Sequence, residues 1–142
     1  MLSNKDLASF APVVLRVGLS ALFLWFGLSQ MTAPSDWLAW VPAWPTNLTG
    51  LSAGAIVLLN GAFEVVFGAL LFAGYWTRWV ALLLAIHMYF LAYEFGYNDI
   101  GVRDFALATS TLALALFGPD KYTLDARFAA KTAEPSNPAV SV

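Results

Sequence analysis

The 142-residue chain contains no cysteine. Disulfides, thiol redox relays, thiolate nucleophiles and cysteine-ligated iron–sulfur clusters are therefore closed to it. It has one histidine, His87. A single imidazole cannot supply both axial ligands of a bis-histidine haem, nor a histidine-rich metal centre. Neither haem nor metal is expected. Charge is also scarce: charged residues make up 11% of the sequence, against about 25% in an average soluble domain. The formal net charge of −2 brings no basic patch, so no nucleic-acid partner is expected.

Apolar sequence fills the space. The chain is 60% hydrophobic, with six tryptophans, and its mean hydropathy is +0.70. A membrane-spanning helix needs about 20 mostly apolar residues. Four stretches meet or approach this: residues 11–31, 51–73, 77–93 and 102–117. The expected fold is all-α, an integral membrane four-helix bundle over residues 1–125, with a tail at 126–142. The stretch at 11–31 is longer than the apolar core of a signal peptide, so a retained helix is expected, with Pro12 tolerated near its start. Gly118-Pro119 is a stop signal for the last helix.

The connections differ in character. Residues 32–50 hold Pro34, Pro42, Pro45 and the tryptophans Trp37, Trp40 and Trp44. Spacings of three and four place these tryptophans on one face of a short helix, as suits an interfacial segment. Such a segment can anchor the protein or cover a ligand. Gly74-Tyr75-Trp76 is short enough to predict a tight antiparallel hairpin of the second and third helices. Lys5, Arg78, Lys121, Arg127 and Lys131 fall on one side of the four spans, and Arg103 on the other. Positive residues favour the cytoplasm, which puts both termini and the partly disordered tail there, in a multi-pass protein of the plasma (inner) membrane.

Within the spans, polar and small residues recur at helical spacing. The predicted inner faces are Arg16, Ser20, Phe23, Gly27 and Gln30; Gly54, Val57, Gly61, Glu64, Gly68 and Leu71; Val80, Leu84, His87, Leu91 and Glu94; and Asp104, Ala108, Thr111, Ala115 and Gly118. Glu64 is the most demanding of these. A charge near the bilayer centre costs about 2.5–3.5 kcal/mol on insertion scales, so such residues turn inward and find partners. At about 1.5 Å per residue, Glu64 and His87 lie at equal depth from the turn that joins their helices. They are predicted to be neighbours, able to hold or pass a proton; a purely packing role for either is the alternative. Arg16, about one turn into the expected first helix, is read as snorkelling to the interface or as a buried polar group. At the other end, Gln30, Glu94, Arg103 and Asp104 form a candidate ligand-binding cluster, with Trp37 and its neighbours as an apolar cover. Asp104 is expected to cap the last helix, and Arg103 to pair with Glu94 or bind an anionic or carbonyl group.

Taken in order, Arg16-Val17-Gly18 with Gly27, Gly61-x-x-Glu64-x-x-x-Gly68 with Leu71 and Gly74, Arg103-Asp104, and Gly118-Pro119-Asp120-x-Tyr122-x-Leu124-Asp125 resemble the DoxX family of small membrane proteins. The resemblance spans about residues 11–125. It implies a four-helix membrane bundle associated with quinone-linked oxidoreductases, since relatives include subunits of a thiosulfate:quinone oxidoreductase and of a terminal quinol oxidase. By position it marks Arg16, Glu64, Arg103 and Asp104. Gln30 stands where members often carry a lysine, and the thiol chemistry of more distant relatives is closed to a chain without cysteine.

The expected function is a subunit that binds quinone or another small ligand, linked to an oxidoreductase or respiratory complex. No side chain here carries electrons unaided, so a complete enzyme is not expected. Two alternatives stand beside it: a non-enzymatic subunit that assembles a larger membrane complex or homo-oligomer, and a path for protons or small solutes. Membrane lipid is a partner in every case.

Overall fold

The computed structural model describes residues 4–133. Helix α1 runs over Asn4–Thr32. A 3-10 helix, Pro34–Trp40, and a short helix α2, Ala43–Thr49, follow it. Then come α3 (Ala53–Ala73), α4 (Thr77–Phe95), α5 (Asp99–Phe117) and α6 (Leu124–Ala133). No strand occurs among the described residues. Four helices are long and apolar enough to cross a membrane: Leu7–Thr32 within α1, α3, α4 and α5. The protein is therefore an all-α, multi-pass membrane protein.

Two of these helices start earlier than the sequence suggests. Helix α1 begins at Asn4 and runs through Pro12, which places the proline inside the helix. Proline's missing N–H frees the Ala8 carbonyl only near the helix start. Helix α5 begins at Asp99, because the Asn98 side chain accepts hydrogen bonds from Ile100 N and Gly101 N and caps it. Asp104 is thus not a cap. It lies over a turn inside α5 and is buried.

The buried faces of α1, α3 and α5 follow the predicted stripes. On α3 they are Val57, Gly61, Glu64, Gly68 and Leu71. Helix α4 is rotated from expectation: Val80, Ala81, Leu84, Ala85, Met88 and Ala92 are buried, while His87, Leu91 and Glu94 are half-buried at the edge of that face. The cause is the partner. Helix α4 packs most closely on α5, as α1 does on α3, whereas α3 and α4 touch sparsely. Small residues set the close pairs. A Cβ at Gly27 would stand 2.7 Å from the Gly61 carbonyl oxygen, and one at Gly61 would stand 2.8 Å from the Gly27 oxygen. Between α3 and α4, Phe63, Phe67 and His87 fill the gap instead, with the rings of Phe63 and His87 4.7 Å apart. The short turn at Gly74 therefore does not make a tight hairpin. Turn length limits how far apart two helix ends can be, but side-chain size sets the distance between the helix bodies.

That turn is held by the segment after α5. Gly74 adopts φ +69° and closes α3, with Tyr75 N bonded to Leu70 O and Gly74 N to Leu71 O. Both carboxylate oxygens of Asp125 accept from the start of α4, at 2.8 Å from Trp76 N and 2.8 Å from Thr77 N. A carboxylate here satisfies two otherwise unpaired amides and complements the helix dipole. It also supports Trp76 at φ +50°, which is unusual for a residue with a side chain.

Candidate functional site

Every helix of the bundle contributes to one cavity of about 270 Å³. It lies on the side of the bundle where α1 ends and α5 begins. Phe23 and Phe26 of α1, Val57 of α3, and Met88 and Leu91 of α4 are among its apolar walls. Trp37, Trp40 and Pro42 close it from the loop. Polar groups reach it from two directions: Gln30, Asn60 and Glu64 from α1 and α3, and Arg103 and Asp104 from α5.

The first polar group is a closed triangle. Gln30 Nε2 donates to Glu64 Oε2 at 3.2 Å, and Asn60 Nδ2 donates to Glu64 Oε1 at 3.0 Å. Asn60 Nδ2 also donates to Gln30 Oε1 at 2.8 Å. Asn60 and Glu64 sit one turn apart on α3, and the α1–α3 contact at Gly27 and Gly61 brings Gln30 within reach. Two amide donors thus meet a carboxyl group buried to 3% exposure. This arrangement suits a carboxylate that accepts at both oxygens and reduces the cost of placing it in an apolar bundle.

His87 lies behind this triangle, not on the cavity wall. Its Nε2 is 3.5 Å from Glu64 Oε1, so the two predicted neighbours are in ion-pair range. The same nitrogen makes no hydrogen bond, because its approach to Glu64 is long and misdirected. Thus Glu64 has the cavity on one side and an imidazole on the other.

The second polar group is a pair of chain neighbours. Arg103 Nε and Nη2 both lie 2.8 Å from Asp104 Oδ1. The Asp104 side chain is 4% exposed and that of Arg103 51%. The guanidinium carbon sits 5.4 Å from the centroid of the Phe26 ring. Arg103 does not pair with Glu94, the partner expected from sequence. Glu94 instead accepts from Trp44 Nε1 at 3.0 Å, away from the cavity lining.

The tryptophans do not share one helical face. Trp37 and Trp40 lie on the 3-10 helix and Trp44 on α2, separated by Val41 and Pro42. Each meets a different part of the bundle. Trp37 stands edge-on to Phe26 and donates Nε1 to Ser29 Oγ at 3.3 Å; Trp40 stands edge-on to Phe95, and Trp44 to Phe90. Proline interrupts the helical repeat, so spacing alone misplaces Trp44.

Of the residues singled out from sequence, Gln30, Trp37, Glu64, Arg103 and Asp104 line the cavity, His87 backs it, and Glu94 secures the loop. Arg16 is elsewhere. It is 4% exposed, more than three turns into α1, and does not snorkel. Its Nε lies 2.7 Å from Asp120 Oδ2, Nη2 lies 3.5 Å from Asp120 Oδ1, and Nη1 donates to the carbonyls of Leu71 and Phe72. Sequence reasoning gave no role to Asn60 or Asp120. The signal for Asn60 was its place four residues before Glu64, on the same face. Asp120 could not be assigned a partner because Arg16 is 104 residues away.

A family model described as DoxX matches residues 11–96. The match takes in most of α1, the tryptophan loop, α3 and α4, and stops before Arg103, Asp104 and the segment containing Asp120. No curated protein and no solved structure matches the chain.

Proposed function

The chain belongs to the DoxX family, and on that premise we propose that it is a ligand-binding subunit of a membrane oxidoreductase, with the cavity as a site for a quinone headgroup. The observation that carries this reading is the cavity itself. A volume of about 270 Å³ lies just below the range of roughly 300–1,000 Å³ for drug-sized ligands, which suits a small flat ring and not a bulky solute. A quinone needs apolar walls and a hydrogen-bond donor toward each carbonyl. Phe23, Phe26, Trp37 and Met88 supply the walls, while the second amide hydrogen of Gln30 and the guanidinium of Arg103 supply donors from two directions. When bound, a quinone would supply the redox chemistry that no side chain here provides. The residues' part is to orient the ring, exclude water, and hold a proton at Glu64 beside His87.

In this reading the protein sits in the plasma membrane with both termini cytoplasmic, and the tryptophan segment lies at the opposite interface as a cover. Electrons come from a partner in a larger complex. A cavity reached by all four spanning helices favours ligand binding over a purely assembling role.

Trp37 and Trp40 line the cavity, so their fluorescence reports on it. A short-chain ubiquinone analogue added to purified protein in detergent should quench the emission saturably. Arg103→Ala and Gln30→Leu should each weaken the apparent affinity about tenfold, the scale of one hydrogen bond to a charged or buried partner. Absence of saturable quenching, together with an unchanged melting temperature at every quinone concentration, would remove the proposal.

A further inference from the structure

The end of the bundle opposite the cavity carries a second arrangement, independent of any quinone site. Leu7, Phe10, Ala11, Val14 and Leu15 of α1 form an open apolar groove with Phe117 at the end of α5. Phe10 belongs to this groove, and its ring also holds a cation. Lys121 Nζ lies 4.6 Å from the Phe10 centroid and 5.0 Å from that of Tyr122, and the two rings stack at 6.3 Å. The ammonium thereby lies beside the groove, over the ring of one of its lining residues.

Two carboxylates of the segment that carries Lys121 are already engaged. Asp120 is taken by Arg16, and Asp125 by the first amides of α4. Among the described residues Lys121 forms no ion pair, and neither do Arg78, Arg127 or Lys131. An unpaired ammonium placed over an apolar channel complements an anionic amphiphile. The groove lies within the first turns of a spanning helix, so the amphiphile is a lipid with its head at the bilayer surface.

We propose that this groove is a binding site for one anionic phospholipid, with an acyl chain along Leu7, Phe10, Val14 and Phe117 and the phosphate on Lys121. The aromatic rings hold the ammonium in place before the lipid arrives, which lowers the side-chain entropy lost on binding. The remaining cations raise the local concentration of anionic lipid without selecting this groove.

The test is native mass spectrometry of delipidated protein with added phosphatidylglycerol or phosphatidylcholine of identical chains. The wild-type protein should retain phosphatidylglycerol about fivefold better, the scale of one lysine at an anionic surface. Lys121→Gln should abolish that preference, while Lys131→Gln should keep it. Val14→Trp should lower retention of both lipids by filling the groove. Equal retention of the two lipids by the wild type, or a preference that survives Lys121→Gln, would overturn the proposal. Circular dichroism and monodispersity establish that each variant is folded, and quinone-dependent quenching reports separately on the cavity.

Discussion

Replacing Asp120 with alanine should be among the most damaging single changes outside the cavity. The Asp120 carboxylate holds two groups. Arg16 meets it through Nε at 2.7 Å and Nη2 at 3.5 Å, and Tyr122 N donates to it at 2.8 Å. The side chains of Arg16 and Asp120 are 5% and 2% exposed, so solvent cannot replace the lost partner. Removing one member of a buried ion pair costs about 3–5 kcal/mol, because the other charge is left without compensation. The Leu71 and Phe72 carbonyls remain on Arg16 and moderate the loss, which favours the lower part of that range. About 3 kcal/mol is a factor of roughly 150 in the folding equilibrium.

Equilibrium unfolding in mixed micelles measures this. The control is the double variant Arg16→Met with Asp120→Leu, which removes both charges and keeps apolar volume. Its stability should recover most of the loss, since an apolar replacement of a buried pair is often neutral. A cost below about 1 kcal/mol for Asp120→Ala would refute the reasoning, by showing that Arg16 is solvated or that its charge is satisfied by the two carbonyls alone. A double variant no better than Asp120→Ala would show that the pair contributes through geometry, not through charge balance.

Two glycine positions give independent checks. Gly27→Ala would place a Cβ 2.7 Å from the Gly61 oxygen, so α1 and α3 must separate and stability should fall by about 1–3 kcal/mol. Gly18→Ala on the same helix has nothing within 4 Å of its Cβ and should cost nothing in the same assay. Gly74→Ala would combine a left-handed backbone at φ +69° with a contact of 2.5 Å to Thr123. It should displace the Asp120–Asp125 segment from the α3–α4 turn, seen as faster proteolysis after Gly118, whereas unchanged proteolysis would show that the segment is held without that contact.

The parts legible in the sequence are those governed by local periodicity. The stripes through Glu64 and Asp104 turn inward because polar and small residues recur every three or four positions, and an apolar solvent leaves them nowhere else to go. The equal depth of Glu64 and His87 follows from helix rise alone. What failed was partner choice. Spacing says that His87, Leu91 and Glu94 share a face, but α4 turns its alanines toward α5, and that choice depends on the side chains of another helix. Arg103 looked the natural partner of Glu94 because both lie at one end of the bundle. It turns to Asp104 next to it, while Trp44 takes Glu94. The Asp104 cap failed for a local reason that was available: Asn98 is an equally good capping residue and starts the helix a turn earlier.

The two ends of the bundle solve opposite problems with similar residues. At the end near Arg16, the buried guanidinium is cancelled by Asp120 from the segment after α5, and the Gly74 turn is bound down by Asp125. At the cavity end, Glu64 is met by neutral amides and a half-buried imidazole, and Arg103 stays half-exposed beside its own neighbour. Such groups can change a hydrogen-bond partner without leaving a bare charge in hydrocarbon. Close pairing of α1 with α3 and of α4 with α5 leaves a wider seam between the pairs, which the rings of Phe63, Phe67 and His87 fill. A cavity walled by both pairs keeps its shape only if the opposite end holds the helices in register. On this argument the ion pair of Arg16 and Asp120 matters to the cavity although it touches none of it, and Asp120→Ala should weaken quinone-dependent quenching even in the fraction that remains folded.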